Sequence, residues 1–380
     1  MAPIRVALIG LSASAKTSWA AAAHLPYLLS PRGLARFQIV ALCNSSSDAA
    51  RAAISAFSLP SETRAYGSPS DLAADADVDL VVCCTRVDVH HETIRPSLAA
   101  GKMVYSEWPL AQDVEHVSDL AQLAREKGVR TLVGVQGRVA PLVRRLKGLL
   151  EEGRIGKVLS VEVRAAGGTN DREILPASLE YFTQRAVGGN VFTIGFGHLW
   201  DQIQFVHGDA VAVHSRLQLQ FPIAKLRDPS TNAIVKTVKS DVPDLVVVTS
   251  PLAAPSEADP STLLVCFRRG QPAFDDPPLV WTVTGETGEI RLTSPAGTTL
   301  HAFSHTDAAR LEVRDFNNDT LERVDWKWEA WQEDLPLVAR SVGALYEAFA
   351  DGDGQGRYPT FEDALKRHEQ LEGMLTAWSA

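Results

Sequence analysis

Residues 4–28 decide the fold, and they read IRVALIGLSASAKTSWAAAAHLPYL. An apolar run, Ile4 with Val6 to Ile9, ends at Gly10; a loop of small residues comes next, then an Ala-rich segment of helical composition. Strand, tight glycine turn and helix start, in that order, build a phosphate cradle. Loop N–H groups and the positive end of the helix dipole both point where a pyrophosphate sits. The usual dinucleotide fingerprint has three glycines, whereas here the positions read Gly10, Ser12 and Ala15. Gly10 still makes the turn, Ser12 costs some backbone approach, and Ala15 is small enough for helix–strand packing. Ser12, Ser14 and Thr17 add hydroxyls that a phosphate can use. A strand–turn–helix without phosphate fits the same pattern, so the residues further along the chain decide between the two.

From residue 4 to about 135 the pattern alternates strand and helix. Strands are predicted at 38–43, 63–66, 80–84, 103–106 and 131–135, with helices at 47–57, 91–100 and 114–127. Near-continuous apolar strands separated by helices mean a parallel sheet covered on both faces and joined by right-handed crossovers. Beyond Arg138 the character changes. A helix is predicted at 141–152, then strands with polar–apolar alternation at 158–165, 211–219, 245–250, 263–268, 279–284 and 289–293. That rhythm implies a mostly antiparallel sheet, interrupted by a helix at 196–206. Residues 221–241 read as a long polar loop. Amphipathic helices at 335–350 and 361–378, the second with Thr360 as a natural N-cap, are expected to pack back on the first domain. The fold expected is α/β: a Rossmann dinucleotide-binding domain at 1–138, and an α/β substrate and oligomerisation domain with a large open sheet at 139–350. A C-terminal helical segment completes the chain at 351–380.

A chain of 380 residues has room for two cores, and 45% hydrophobic with 22% charged residues is ordinary for a globular protein. Its net charge of -9 argues against a nucleic-acid surface. No apolar run reaches the ~18 residues of a membrane span, and the chain opens directly into a strand, so no membrane association and no secretory signal are expected. Cys43, Cys83, Cys84 and Cys266 lie in strand-like runs without metal-ligand spacing. They read as buried thiols of a reducing compartment, with no metal site and a cytoplasmic location.

The end of the second strand bears on cofactor choice. An NAD site places Asp or Glu there for the ribose 2′-hydroxyl, but the residues are Asn44, Ser45, Ser46 and Ser47, with Arg51 one turn on. Hydroxyls, an amide and a cation suit a 2′-phosphate, which favours NADP with NAD as the alternative. A serine-rich helix N-cap explains the same residues, and both readings stand. Thr85 and His90 come after the fourth strand and are candidates for lining the ligand crevice; a helix-start histidine with no ligand is the competing reading of His90. Glu107, Trp108 and Gln136 extend from the fifth and sixth strands into the same region.

Taken in order, these features resemble the glucose–fructose oxidoreductase/inositol dehydrogenase (Gfo/Idh/MocA) family over nearly the whole chain. The residues that carry the likeness are the Gly10 turn, Thr85 with His90, Ala100-Gly101-Lys102, Glu107-Trp108-Pro109, Gly153-Arg154-Ile155-Gly156 and Gly188-Gly189 leading to His198 and Asp201. Thr360-Phe361-Glu362-Asp363-Ala364-Leu365 completes the set. Within the family the sequence is similar to the fungal branch of the yeast galactose-regulon repressor, through residues 10–28, SEWPL, Val135-Gln136-Gly137-Arg138 and Gly195-Phe196-Gly197-His198. The resemblance implies a nicotinamide cofactor, a small-molecule substrate and a homodimer through the open sheet. For a regulator it implies instead a protein partner and a nuclear location.

Family dehydrogenases carry Glu-Lys-Pro and Asp-x-Gly-x-His. Trp108 stands in place of the lysine and Ile194 in place of the aspartate, while His198 remains. An indole does not shuttle protons at neutral pH and isoleucine does not titrate. His198 is then the expected acid–base group, with Asp201 at i+3 to orient it and Tyr181, Glu107, Tyr105 and Gln136 as hydrogen-bonding neighbours. A packing role for His198 and a surface or capping role for Asp201 are the plainer readings. The indole is expected to make the site apolar. Three functions are compatible with this set: hydride transfer, a cofactor-binding co-repressor without turnover, and redox-neutral elimination or epimerisation on a recycled cofactor.

Overall fold

The computed structural model describes all residues except 1, 13, 15–17, 168–170, 253–260, 273, 353–357 and 380, together with the side chain of Ser379. Ala15 and Thr17 of the glycine-turn loop therefore lie outside the described residues. Two units form: Met1–Gln136 with Glu329–Glu369, and Gly137–Trp328 with Gln370–Ala380.

In the first unit, strands β1 (Ile4–Ile9), β2 (Phe37–Cys43), β3 (Arg64–Tyr66), β4 (Leu80–Cys83), β5 (Met103–Glu107) and β6 (Thr131–Gly134) make one sheet. Their spatial order is β3-β2-β1-β4-β5-β6, and every pair is parallel. This is the doubly wound order, whose switch point, between β1 and β4, is where dinucleotides bind. The strands β4 and β6 are buried throughout, as expected for a sheet covered on both faces. Local chemistry sets the helix ends. Ser46 Oγ accepts the Ala49 N–H at 3.1 Å, and Asp113 Oδ1 accepts the His116 N–H at 2.9 Å. Gly128 closes the helix Val114–Lys127 at φ 60°, a left-handed position that suits glycine. The helix Leu337–Ala350 packs on residues 20–28 and on β6 within this unit.

The second unit carries β7 (Val158–Gly167), β8 (Ile174–Pro176), β9 (His214–Gln218), β10 (Ile223–Arg227), β11 (Ile234–Lys239), β12 (Leu245–Pro251), β13 (Thr262–Arg269), β14 (Leu279–Gly285), β15 (Gly288–Ser294), β16 (Arg310–Asp315) and β17 (Thr320–Arg323). Eight of these form a sheet in the order β17-β16-β15-β14-β7-β13-β12-β9. Only the β7–β13 pair is parallel, so the sheet is mostly antiparallel. One face is apolar and buried, with Val161, Val163, Phe267, Trp281 and Ile290. On the other face Ser160, Glu162, Arg164, Thr282 and Arg291 line a groove of about 510 Å³.

Residues 221–241 are not a loop. They hold β10 and β11, an antiparallel hairpin whose β10 also pairs in parallel with β8. Ala224 and Leu226 bury against Leu175 and Phe182, a two-residue apolar signal hidden among charged neighbours. Asn232 turns the hairpin at φ 61°. Strands β16 and β17 are likewise absent from the expectation: β17 is exposed along its whole length and carries no alternation to detect, whereas β16 does alternate, with Leu311 and Val313 buried.

Candidate functional site

Gly10 sits at φ +93°, and a Cβ there would lie 2.9 Å from the Cys84 carbonyl oxygen. Only glycine lets the β1 turn pass this close to the end of β4, and the open space is what a pyrophosphate cradle requires. Ser12 and Ser14 hydroxyls lie 3.3 Å apart, and the Ser14 N–H donates to Ser12 Oγ at 3.3 Å. The Asn44 amide ties the end of β2 to this loop by donating to the Leu11 carbonyl at 2.8 Å. Ser45 is exposed beside it. Arg51 pairs with Asp48 at 2.5 Å, both exposed, so a carboxylate accompanies the cation that the sequence offers to a 2′-phosphate.

His90 is not a free lining residue. Its ring nitrogens lie 2.9 Å from the Thr85 carbonyl and 3.1 Å from the Pro109 carbonyl, and burial pushes its pKa down. It ties the segment after β4 to the turn after β5. The Thr85 hydroxyl lies 3.3 Å from Cys83 Sγ. Trp108 is only 5% exposed, its ring 4.7 Å from that of His368. The residue in the lysine position is thus a packed wall.

Glu107, at the end of β5, is the centre of a buried network. Its Oε1 lies 2.9 Å from His24 Nε2 and its Oε2 accepts from Gln136 Nε2 at 2.9 Å. His24 Nδ1 is 2.9 Å from the Tyr346 hydroxyl, and the His24 ring packs against Tyr105. A Cβ on Gly134 would fall 2.5 Å from Glu107 Oε2, so that glycine makes room for the carboxylate. Sequence position points to Glu107 and Gln136 but misses His24 and Tyr346. The one available signal is a lone polar residue in AAAAHLPYL, which the structure places at the end of a π-helical turn, Ala20–His24.

In the second unit another π-helical turn, Val191–Phe196, leads into the helix Gly197–His207. Asn190 Oδ1 accepts from the Phe192 and Thr193 N–H groups at 2.9 and 3.0 Å, fixing the turn that carries Ile194. Two residues into the helix comes His198, buried and stacked on His301 with 3.6 Å between ring centroids and 11° between planes. Burial lowers the His198 pKa to about 3. The carboxylate of Asp201, the residue expected to orient His198, is held by Arg138, which donates from Nε at 2.9 Å and from a terminal nitrogen at 2.6 Å, a bidentate charge-assisted pair. Gly137 lies against Gln202, where a Cβ would be 2.4 Å away. Tyr181 is half-buried on the turn Ala177–Thr183, edge-on to Phe182. Sequence reasoning misses His301 because it sits outside regular structure, in the segment after β15.

Residues 4–135 match the model of an oxidoreductase family with an NAD-binding Rossmann fold, and residues 141–294 match that of the Gal80p C-terminal domain. Over 379 residues the chain is 31% identical to dehydrogenase aclE of Aspergillus oryzae, covering 98% of this chain and 95% of that one. The chain belongs to the Gfo/Idh/MocA oxidoreductase family. Another member like it is the galactose/lactose metabolism regulatory protein GAL80 of Saccharomyces cerevisiae, 28% identical over 98% of this chain and 92% of GAL80. The crystal structure of a super-repressor mutant of Gal80p from that yeast superposes with a TM-score of 0.85 at 24% identity, covering 100% of this chain and 97% of that one. Gfo/Idh/MocA membership supports a nicotinamide dinucleotide as cofactor, and the Gly10 turn and the order of the first sheet fit one. No helix among the described residues is long and apolar enough to cross a membrane, and among them no group of side chains could hold a metal ion.

Proposed function

We propose that this protein is an NADP-dependent oxidoreductase, transferring hydride between NADP(H) and a small organic alcohol–carbonyl pair or an activated double bond, with His198 as the acid–base group. The observation that carries this reading is the state of His198. Burial holds its pKa near 3, so at neutral pH the ring is a neutral imidazole, a weak base that takes up a proton only at a cost. Bound dinucleotide supplies the hydride acceptor. The chain supplies the rest: Gly10, Ser12 and Ser14 for the phosphates, His198 for the proton, and His301 stacked behind it to fix the ring. Trp108 and Ile194 do not titrate, which leaves the proton to His198 and favours bulky or aromatic substrates over small polyols. Tyr181 is assigned as a hydrogen-bonding neighbour and Asp201 as the residue that holds Arg138.

NADP is favoured over NAD because Asn44, Ser45 and Arg51 offer an amide, a hydroxyl and a cation at the end of β2. A cytoplasmic homodimer without direct nucleic-acid contact completes the reading. Glu162 on β7, Arg291 on β15 and Glu312 on β16 lie in one row of the open sheet, with Thr282 of β14 between the first two; they suit a two-fold contact, and sedimentation of the pure protein tests it.

A second reading is favoured by Trp108 and Ile194 themselves: a dinucleotide-binding co-repressor that contacts a transcription factor in the nucleus and has no turnover. Mixing the protein with NADPH and NADP+ over a panel of alcohols, ketones, aldehydes and enones decides between them. Catalytic change in nicotinamide absorbance supports the enzyme. Cofactor binding with a flat trace, together with recovery of a transcription factor in a pull-down, supports the co-repressor.

A further inference from the structure

The helix Gly197–His207 carries His198 in its first turn, has no side-chain cap there, and runs straight out of the π-helical turn Val191–Phe196. In that turn the Gly197 N–H reaches the Phe192 carbonyl, five residues back, so the turn holds one residue more than an α-helical turn spans. Wound as α-helix, the same residues would carry every side chain beyond them round by about 100°. The direction of His198 is therefore a choice between two registers.

Both ends of the π-helical turn are pinned. At its start Asn190 Oδ1 accepts from the Phe192 and Thr193 N–H groups, while Thr193 Oγ1 accepts from the Asn190 N–H at 3.1 Å and donates to the Gly188 carbonyl at 2.6 Å. Beyond its end the helix is held at two consecutive residues. Asp201, its side chain fully buried, takes Arg138 at 2.9 and 2.6 Å. Gln202 lies against Gly137, where a Cβ would fall 2.4 Å from its Cγ. Arg138 is itself tied down, its carbonyl accepting from Arg144 Nε at 3.1 Å. Asp201 and Gln202 follow His198 by three and four positions, so both contacts lie on its face of the helix. A helix turned by one register would pull a buried carboxylate from its guanidinium, which is costly.

We infer that Arg138 is a positioning residue for His198: through Asp201 it fixes the register of the helix, holds the extra residue in the turn Val191–Phe196 and keeps the His198 ring on His301. Without this clamp the turn relaxes to α-helix and the ring swings off the stack. The effect on turnover rests on the acid–base role proposed for His198; the direction of the ring does not.

The test is the NMR spectrum of the full chain with isotope-labelled histidine rings, the His198 signal being the one absent in His198→Gln. A ring stacked on another resonates upfield, so this signal reports the His198–His301 stack. Arg138→Met with Asp201→Leu removes the ion pair without leaving a charge buried. In that double variant the His198 signal is expected to lose its upfield shift and turnover to fall about a hundredfold. Arg138→Lys, which keeps the charge and loses the two-pronged contact, is expected to weaken the shift in the same sense. Deleting Gly195 from the double variant removes the extra residue, so an α-helical turn then delivers His198 to its place and the upfield shift is expected to return. A His198 signal unchanged in the double variant and in Arg138→Lys overturns the inference, as does a loss that the deletion does not repair. A wild type without turnover overturns the proposed reaction and leaves the ring signals to decide the register.

Discussion

His198 and His301 lie ring on ring, 3.6 Å between centroids and 11° from parallel, although they are far apart in the chain and only one belongs to a helix. The stacked ring of His301 gives His198 a flat backing surface, and burial lowers the His198 pKa to about 3. Replacing His301 with Phe keeps a flat ring and is expected to preserve folding and turnover within a few-fold. Replacing it with Ala removes the backing surface and is expected to lower turnover about ten- to a hundred-fold, a size fitting lost orientation. Steady-state rates of the two variants check this.

Stability against pH gives an independent test. His198, His207 and His368 are each driven by burial from the usual 6.5 to about 3. Folded values below unfolded ones mean that the unfolded chain binds protons first as pH falls. Stability is therefore complete above about 6.5 and falls towards 3, by at most about 1.4 kcal/mol per pH unit for each histidine. His207→Phe is expected to flatten the slope by close to one proton's worth. Urea midpoints between about pH 7 and pH 5 measure it.

The buried pair Arg138–Asp201 predicts an asymmetry. Asp201→Asn leaves a guanidinium without its charge partner and is expected to cost about 3–5 kcal/mol, whereas the double change Arg138→Met with Asp201→Leu restores much of that. Denaturation midpoints of the single and double variants read the difference.

The glycine turn admits little change. Gly10→Ala places a Cβ 2.9 Å from a carbonyl oxygen at φ +93°, so a loss of about 1–3 kcal/mol is expected, with loss of cofactor binding because the loop must shift. Thermal melting with and without NADP+ separates the two effects.

The proposed preference for NADP rests on a surface pair. Arg51→Ala is expected to weaken NADP+ about five- to tenfold and leave NAD+ unchanged, and Asp48→Asn to strengthen NADP+, since the carboxylate at 2.5 Å competes for the guanidinium. Titrations with both dinucleotides measure it.

The first sheet is legible in the sequence because parallel buried strands are nearly continuous in apolar residues; Val81, Val82 and Cys83 of β4 leave little other reading. The larger sheet is legible wherever alternation is long, as in β7 or β14, and lost at β10, where two small apolar side chains carry the signal. Candidate residues on regular elements, His198 and Glu107, are picked out by position. Their partners are not: His24 depends on a π-helical turn, and His301 on a segment with no period. Asp201 shows the limit of spacing arguments. The i, i+3 relation puts it on one face with His198 and gives no sign of Arg138, a residue on another element that donates to its carboxylate.

The most direct test of the account is nicotinamide absorbance during turnover by wild type and His198→Ala, with cofactor affinity measured on both. The account predicts turnover by wild type, a loss of about 100- to 10,000-fold in the variant and unchanged cofactor affinity. Turnover by His198→Ala at the wild-type rate would contradict it.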